Sequence, residues 1–250
     1  MNYKKFIKYI FYCCLTFFIL SVSAVILYRF TPITYTPLMI YRSIDKKYPI
    51  KHQWVELENI SHYMQKTVVR SEDAKFYDHY GFDFEAIKKA QLYNEHHKKK
   101  KGASTISQQT AKNVFLWPSR TYFRKAMEAY FTVLIEFFWP KKRIMEAYLN
   151  VIELGPGIYG VEAASKYFFK KPAKKLTLAE SALLTAVLPN PIKFKVNHPS
   201  NYILSRQSKI IGHANSAIAP NDSTDIKFDD EPASSETADE ANIDENDEEI

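Results

Sequence analysis

From Tyr9 to Tyr28 the chain reads YIFYCCLTFFILSVSAVILY, twenty residues without a charged side chain. Inside a bilayer no backbone amide can turn to water, so such a run is stable there only as a helix, which at this length spans roughly 30 Å, the hydrocarbon thickness. The spacing predicts a transmembrane helix over 9–28. Lys4, Lys5 and Lys8 precede it and Arg29 follows. Positive-inside logic therefore leaves residues 1–8 in the cytoplasm as a short N-terminus and everything after Arg29 on the outer side of the cytoplasmic membrane. A cleaved signal peptide, cut near Val22-Ser23-Ala24, is the alternative, but the apolar run continues past that point. Both cysteines, Cys13 and Cys14, lie inside the segment, so the body has no thiol for a disulfide framework or a thiolate metal site.

Charge divides the rest of the chain. Residues 1–200 carry 31 Lys/Arg and 15 Asp/Glu, whereas residues 201–250 carry 3 and 13, so a body near +16 precedes a tail near −10. A body this basic suits an anionic partner such as a phosphorylated ligand or a lipid head group; no nucleic-acid-binding module is recognisable. Residues 29–55 contain Pro32, Pro37 and Pro49 and read as an irregular membrane-proximal connector. Residues 56–213 form one mainly helical domain, because apolar residues recur at spacings of three and four through VVRSEDAKF, TISQQTAKNVFL, RKAMEAYFTVLIEFFW, KRIMEAYLNVIEL, GVEAASKYFF and TLAESALLTAVL. Thr105 with Gln108 and Thr177 with Glu180 have the capping-box spacing, and Pro140, Gly155-Pro156-Gly157 and Pro189 mark helix ends. Residues 214–250 are acidic, poor in large apolar groups and expected to be disordered.

Four stretches carry candidate chemistry. In SEDAKFYDHYG the helical spacing puts Val68, Val69 and Glu72 on one face, at the edge of an apolar stripe where desolvation favours a carboxylate that accepts protons at neutral pH. As an arbitrary Glu-Asp pair, Glu72 and Asp73 would be surface charge. GASTISQQTAKN leads small residues into a helix start bearing Ser104, Thr105, Gln108 and Gln109, with Lys112 and Asn113 beyond, a polar junction suited to sugar oxygens and phosphates. RKAME sets Arg124 and Lys125 beside Glu128, either as an ordinary i,i+4 pair or as cations able to hold a pyrophosphate with a carboxylate alongside. KKRIMEAYLN adds Lys141, Glu146 and Asn150, the last two better explained as helix-to-loop structural contacts.

EDAKFYDHYG, GASTISQQTAKN, RKAMEA and KKRIMEAYLNVIELGPGIYGVEAA occur here in the order and approximate spacing found in peptidoglycan glycosyltransferases of family 51. The chain resembles the monofunctional, membrane-anchored type, related to the N-terminal half of bifunctional penicillin-binding proteins, over about residues 55–200. The resemblance implies a lysozyme-like, two-lobed helical domain behind a single transmembrane helix, which polymerises lipid II into glycan strands. It implies Glu72 as the base that takes the proton of the acceptor GlcNAc 4-hydroxyl, and Glu128 as the second essential carboxylate. Lys112, Arg124 and Lys125 match residues that hold the donor pyrophosphate, and Ser104, Gln109, Asn113 and Lys141 match substrate-contacting positions. Ala103 and Thr110 depart from the usual glycine and leucine without removing a functional group. The family's mobile region falls on NEHHKKKKG, which is either a solvated charge run or a contact for lipid head groups or the diphosphate.

His96 and His97 are adjacent without further ligands, so no metal site is expected there, and no cofactor is required by the sequence. Mg²⁺ or another divalent ion at the pyrophosphate stays open. Two rivals are a lytic glycosidase, which also uses two carboxylates, and an idle membrane scaffold recruiting other cell-wall synthesis proteins through its acidic tail. A hydrolase has no pyrophosphate to hold, so the Lys112, Arg124 and Lys125 cluster favours the transferase. Ser43 to Lys46 is the only Ser-x-x-Lys and lacks a downstream Lys-Thr-Gly, so transpeptidation is not expected.

Overall fold

A computed structural model describes residues 3–98, 100–119 and 121–215. The acidic segment, apart from its first two residues, lies outside the described residues. The structure is mainly α-helical, as the periodicity predicts. The first helix, α1 (Tyr3–Phe30), contains the whole uncharged run and is long and apolar enough to cross a membrane.

The connector is more regular than its prolines suggest. Helix α2 (Pro37–Asp45) begins where Thr36 accepts the Met39 amide at 3.3 Å. Pro37 occupies the first helical position, where a missing N–H costs nothing and the fixed φ is already helical. Strand β1 (Lys51–His52) then leads through a 3₁₀ turn at Leu57–Asn59 into α3 (His62–Glu72). A helix through Phe76 is not found, because Asp73 leaves helical geometry at φ −161° and turns its carboxylate toward a neighbouring helix.

Helix α4 (Phe84–His96) starts at Asp83, whose side chain accepts the Ala86 amide at 2.9 Å. Beyond it, Asn94 closes the lysine-rich loop through two bonds to the backbone of Lys101, at 2.7 and 2.9 Å. The capping box at Thr105 and Gln108 opens α5 (Ile106–Phe115), and Thr121 caps α6 (Tyr122–Phe138). Helix α7 (Lys141–Val151) stops before Glu153, so the expected extension through Leu154 is instead strand β2 (Glu153–Gly155), turning at Gly157 into β3 (Ile158–Tyr159). The sheet order is β1-β3-β2, with β1 parallel and β2 antiparallel to β3. At Gly157, φ is +71° and an added Cβ would lie 2.4 Å from the Pro49 carbonyl oxygen, so the turn needs glycine. Helices α8 (Val161–Phe169), α9 (Leu178–Val187, opened by the Thr177–Glu180 box) and α10 (Asn201–Asn215) complete the described chain.

Two helical groups result. Helix α3 packs on α9 and α10, with Thr67 and Thr185 hydrogen-bonded at 3.0 Å in the interior. Helix α5 packs between α6 and α7. Phe76, Ile106, Tyr148, Leu149, Leu154 and Tyr159 are fully buried between and around them. Glu146 and Asn150 serve as the structural contacts expected of them. Glu146 accepts the Leu57 amide at 3.0 Å, and Asn150 exchanges two 2.9 Å bonds with the backbone of Val55.

The upper part of α1 is built into this body. Val25 is fully buried, Trp139 donates its indole N–H to the Val25 carbonyl at 2.7 Å, and Ser21 meets the Tyr130 hydroxyl at 2.6 Å. Arg143 donates to the carbonyls of Tyr28 and Thr31, two acceptors freed where α1 ends.

Candidate active site

Glu72 is the last residue of α3, and its side chain keeps 16% of its exposure. Its Oε2 accepts the Gln109 amide at 3.1 Å from α5, and Gln109 in turn accepts the hydroxyl of buried Tyr148 at 3.3 Å. The ends of α3, α5 and α7 therefore meet at one carboxylate. Burial, with the charges of Glu72 and Asp73 nearby, holds the Tyr148 phenol far above its ordinary pKa, so it stays a neutral donor.

The next residue has a different task. Asp73 is buried, accepts the Ile106 amide at the first turn of α5 at 2.9 Å, and contacts His79 Nε2 at 2.9 Å. Burial raises its pKa, an effect opposed by His79 and by the Ile106 amide. Gly81, at φ +86°, closes the same motif. Its carbonyl accepts the Thr105 hydroxyl at 2.6 Å, and a Cβ there would stand 2.8 Å from Thr132 Cγ2. The motif EDAKFYDHYG thus leaves Glu72 partly exposed at the end of α3 and uses the residues after it to lock α3 onto α5 and α6.

Cations gather on the α5–α6 side. Glu128 is buried and pairs with Arg124 Nη1 at 2.6 Å and with the Lys125 ammonium. Lys112, one turn beyond Gln109, has its pKa lowered by burial, with Glu128 and Glu72 pulling the other way and Arg124 and Lys125 adding to the lowering. Lys112 thus feels the charges of Glu72, Arg124, Lys125 and Glu128. The structure therefore brings together Glu72, Gln109, Lys112, Arg124, Lys125 and Glu128.

Of the remaining candidates, Ser104 is exposed on the loop before α5, and Asn113 is buried on α5 next to Lys112. Lys141 pairs with Glu136 at 2.7 Å, lies over the Phe76 ring at 4.6 Å and acts by its charge on Asp73.

Three contributors are not among the residues singled out from the sequence. Arg206, on α10, stands 3.7 Å from Glu72 Oε1. Glu153, whose pKa is raised by burial, faces Arg42 of α2 at 3.4 Å and feels the charge of Lys112. His79 braces Asp73. Only the last could have been anticipated, from its fixed spacing to the acid pair.

The sequence pattern of the Transglycosylase family matches residues 40–215, from α2 to the end of α10. The chain belongs to the transglycosylase family. Among its relatives is a protein of Bdellovibrio bacteriovorus named biosynthetic peptidoglycan transglycosylase, 53% identical over 235 residues, covering 90% of this chain and 94% of the relative. Proteins of the same name from Caulobacter vibrioides and Bacteroides thetaiotaomicron are 54% and 51% identical over 197 and 213 residues. The first alignment covers 79% of this chain and 85% of the relative, and the second 83% and 86%. Membership extends past the four motifs to take in α2 and α10, the transglycosylase elements that supply Arg42 and Arg206.

Among the described residues no three His, Cys, Asp or Glu side chains converge as a metal-ligand set. Glu128, the carboxylate amid the cations, is already engaged by Arg124 and Lys125, so the donor set does not fit a resident divalent ion.

Proposed function

We propose that this peptidoglycan glycosyltransferase polymerises glycan strands from lipid II, with Glu72 as general base. Lys112, Arg124 and Lys125 hold the diphosphate of the donor, and Glu128 orients Arg124 and Lys125 toward it. The acceptor GlcNAc 4-hydroxyl loses its proton to Glu72 as its oxygen attacks C1 of the donor MurNAc. The bond from C1 to the diphosphate breaks, undecaprenyl diphosphate leaves with its electron pair, and the new link is β-1,4 with inversion. Charge that develops on the leaving diphosphate is met by preorganised cations at a half-buried site, where they act more strongly than in water. A divalent ion, where it takes part, arrives with the diphosphate.

The observation that carries this reading is geometric: Gln109 of α5 holds Glu72 one turn before Lys112, and α6, packed on α5, carries Arg124 and Lys125 around Glu128. A glycosidase needs the carboxylates but has no use for that much positive charge. Ser104, Asn113 and Lys141 are assigned to the sugar and to the frame of the cleft. Helix α1 retains the enzyme in the cytoplasmic membrane, N-terminus inward, which the Lys4, Lys5 and Lys8 charges support, and confinement beside a membrane-bound substrate raises its effective concentration. The growing strand is a second substrate, and other cell-wall synthesis proteins are its natural neighbours.

The test compares detergent-solubilised wild type with Glu72→Gln on labelled lipid II, with products resolved by size. The variant should bind lipid II and lose polymerisation by at least ~10². Equal polymer from both would remove Glu72 from its role.

A further inference from the structure

Glu72 ends α3, and the last turn of a helix is a poor place for negative charge, because unpaired carbonyl oxygens point out of it. Two acids stand there in succession. Asp73 is provided for by His79 and the Ile106 amide. Glu72 receives a neutral amide at Oε2, from Gln109 of the α5 group. Its other oxygen faces α10, where Arg206 Nη2 lies 3.7 Å from Oε1 and also donates to Ser71 Oγ at 3.3 Å.

Both side chains are largely withdrawn from water, at 14% and 16% exposure, so solvent screens the pair weakly. At 3.7 Å the contact is one of charge and lies beyond a normal hydrogen bond. Oε2 is thus committed to an amide, while Oε1 sits in the field of a cation without being saturated by it. We propose that Oε1 is the oxygen that accepts the acceptor's proton, and that Arg206 is a positioning residue that holds it in the orientation for transfer. This rests on the assignment of Glu72 as the base.

A purely structural role for Arg206 is the competing account. Helix α10 has other fastenings: Ile203 and Ile210 are buried, and Gln207 donates to the Ala179 carbonyl of α9 at 2.7 Å. These fastenings of α10 do not involve the guanidinium.

The experiment measures steady-state polymerisation of lipid II and thermal melting for the full-length wild type, Arg206→Met, Arg206→Lys and Glu72→Gln. Arg206→Met should lower kcat by about tenfold to a hundredfold with KM for lipid II and melting temperature unchanged, and Arg206→Lys should recover part of the loss. An unchanged kcat in Arg206→Met, a change confined to KM, or a loss that tracks the melting temperature and is equal in both variants overturns the proposal. Wild-type polymerisation by Glu72→Gln would instead sink the base assignment itself, whatever the Arg206 variants do.

Discussion

Asp73 Oδ2 accepts the backbone N–H of Ile106 at 2.9 Å, so the residue after Glu72 is tied to the first turn of the helix that carries Gln109 and Lys112. The acid pair divides its labour by direction: Glu72 faces Gln109 and Arg206, and Asp73 faces His79 and the Ile106 amide, which tie α3 to α5.

Asp73→Asn preserves shape and can still accept the Ile106 amide, but cannot ionise. The folded-state pKa of Asp73 is raised by burial, so its protonation on acidification favours the folded form. Wild type should therefore gain stability relative to Asp73→Asn as pH falls through the raised folded value, with the gain complete below the unfolded carboxylate range near ~3.9. Urea denaturation of both proteins between neutral and acid pH measures the difference, and a gap that stays constant or moves the other way refutes the prediction.

Lys112 has the opposite displacement. Burial lowers its ammonium pKa below the ordinary 10.5, so the free enzyme should lose this charge at a lower pH than a surface lysine does. KM for lipid II is expected to rise on the alkaline side in wild type, and Lys112→Arg, which keeps its charge there, should flatten that limb. Identical KM profiles for the two proteins would show that Lys112 does not carry charge to the donor.

Glu128 distinguishes its two cations by burial. Arg124 is 14% exposed and Lys125 49% exposed, so solvent screens the second pair far more. Double-mutant cycles on unfolding free energy should give a coupling for Arg124 with Glu128 about 1 kcal/mol larger than for Lys125 with Glu128. Equal couplings would mean that exposure does not set their strength.

Trp139→Phe keeps an aromatic ring at α1 and deletes the donor to Val25. The Val25 carbonyl keeps its partner within α1, so the loss is that of one further hydrogen bond, about 0.5–1.5 kcal/mol. The melting temperature in detergent should fall, and a spin label placed near Phe30 should become more mobile, while no change in either would show that the indole bond does not hold the helix.

Much of the site was legible because its residues lie in short, ordered runs. Glu72, Lys112, Arg124, Lys125 and Glu128 each belong to a local pattern whose residue types announce charge handling. The boxes at Thr105 and Thr177 were legible for the same reason, since a cap is a matter of three residues. What stayed hidden depends on distance along the chain. Arg206 reaches Ser71 across 135 positions, and no local pattern marks the arginine of α10 for that contact. The short strands β2 and β3 were concealed by the helical periodicity of KRIMEAYLNVIEL, which tertiary packing ends at Val151. Helix α2 has its signal in Thr36-Pro37, a cap followed by a proline at the first helical position, where proline starts a helix instead of breaking one.

The seating of α1 changes what it means to cut this protein free of its membrane. A version beginning after residue 30 would shed the Val25 carbonyl that Trp139 holds, the Tyr28 carbonyl that Arg143 holds, and the side chain of Val25 that fills the interior. It would lose a wall together with its leash, and any drop in its activity would measure a damaged domain as much as a lost address.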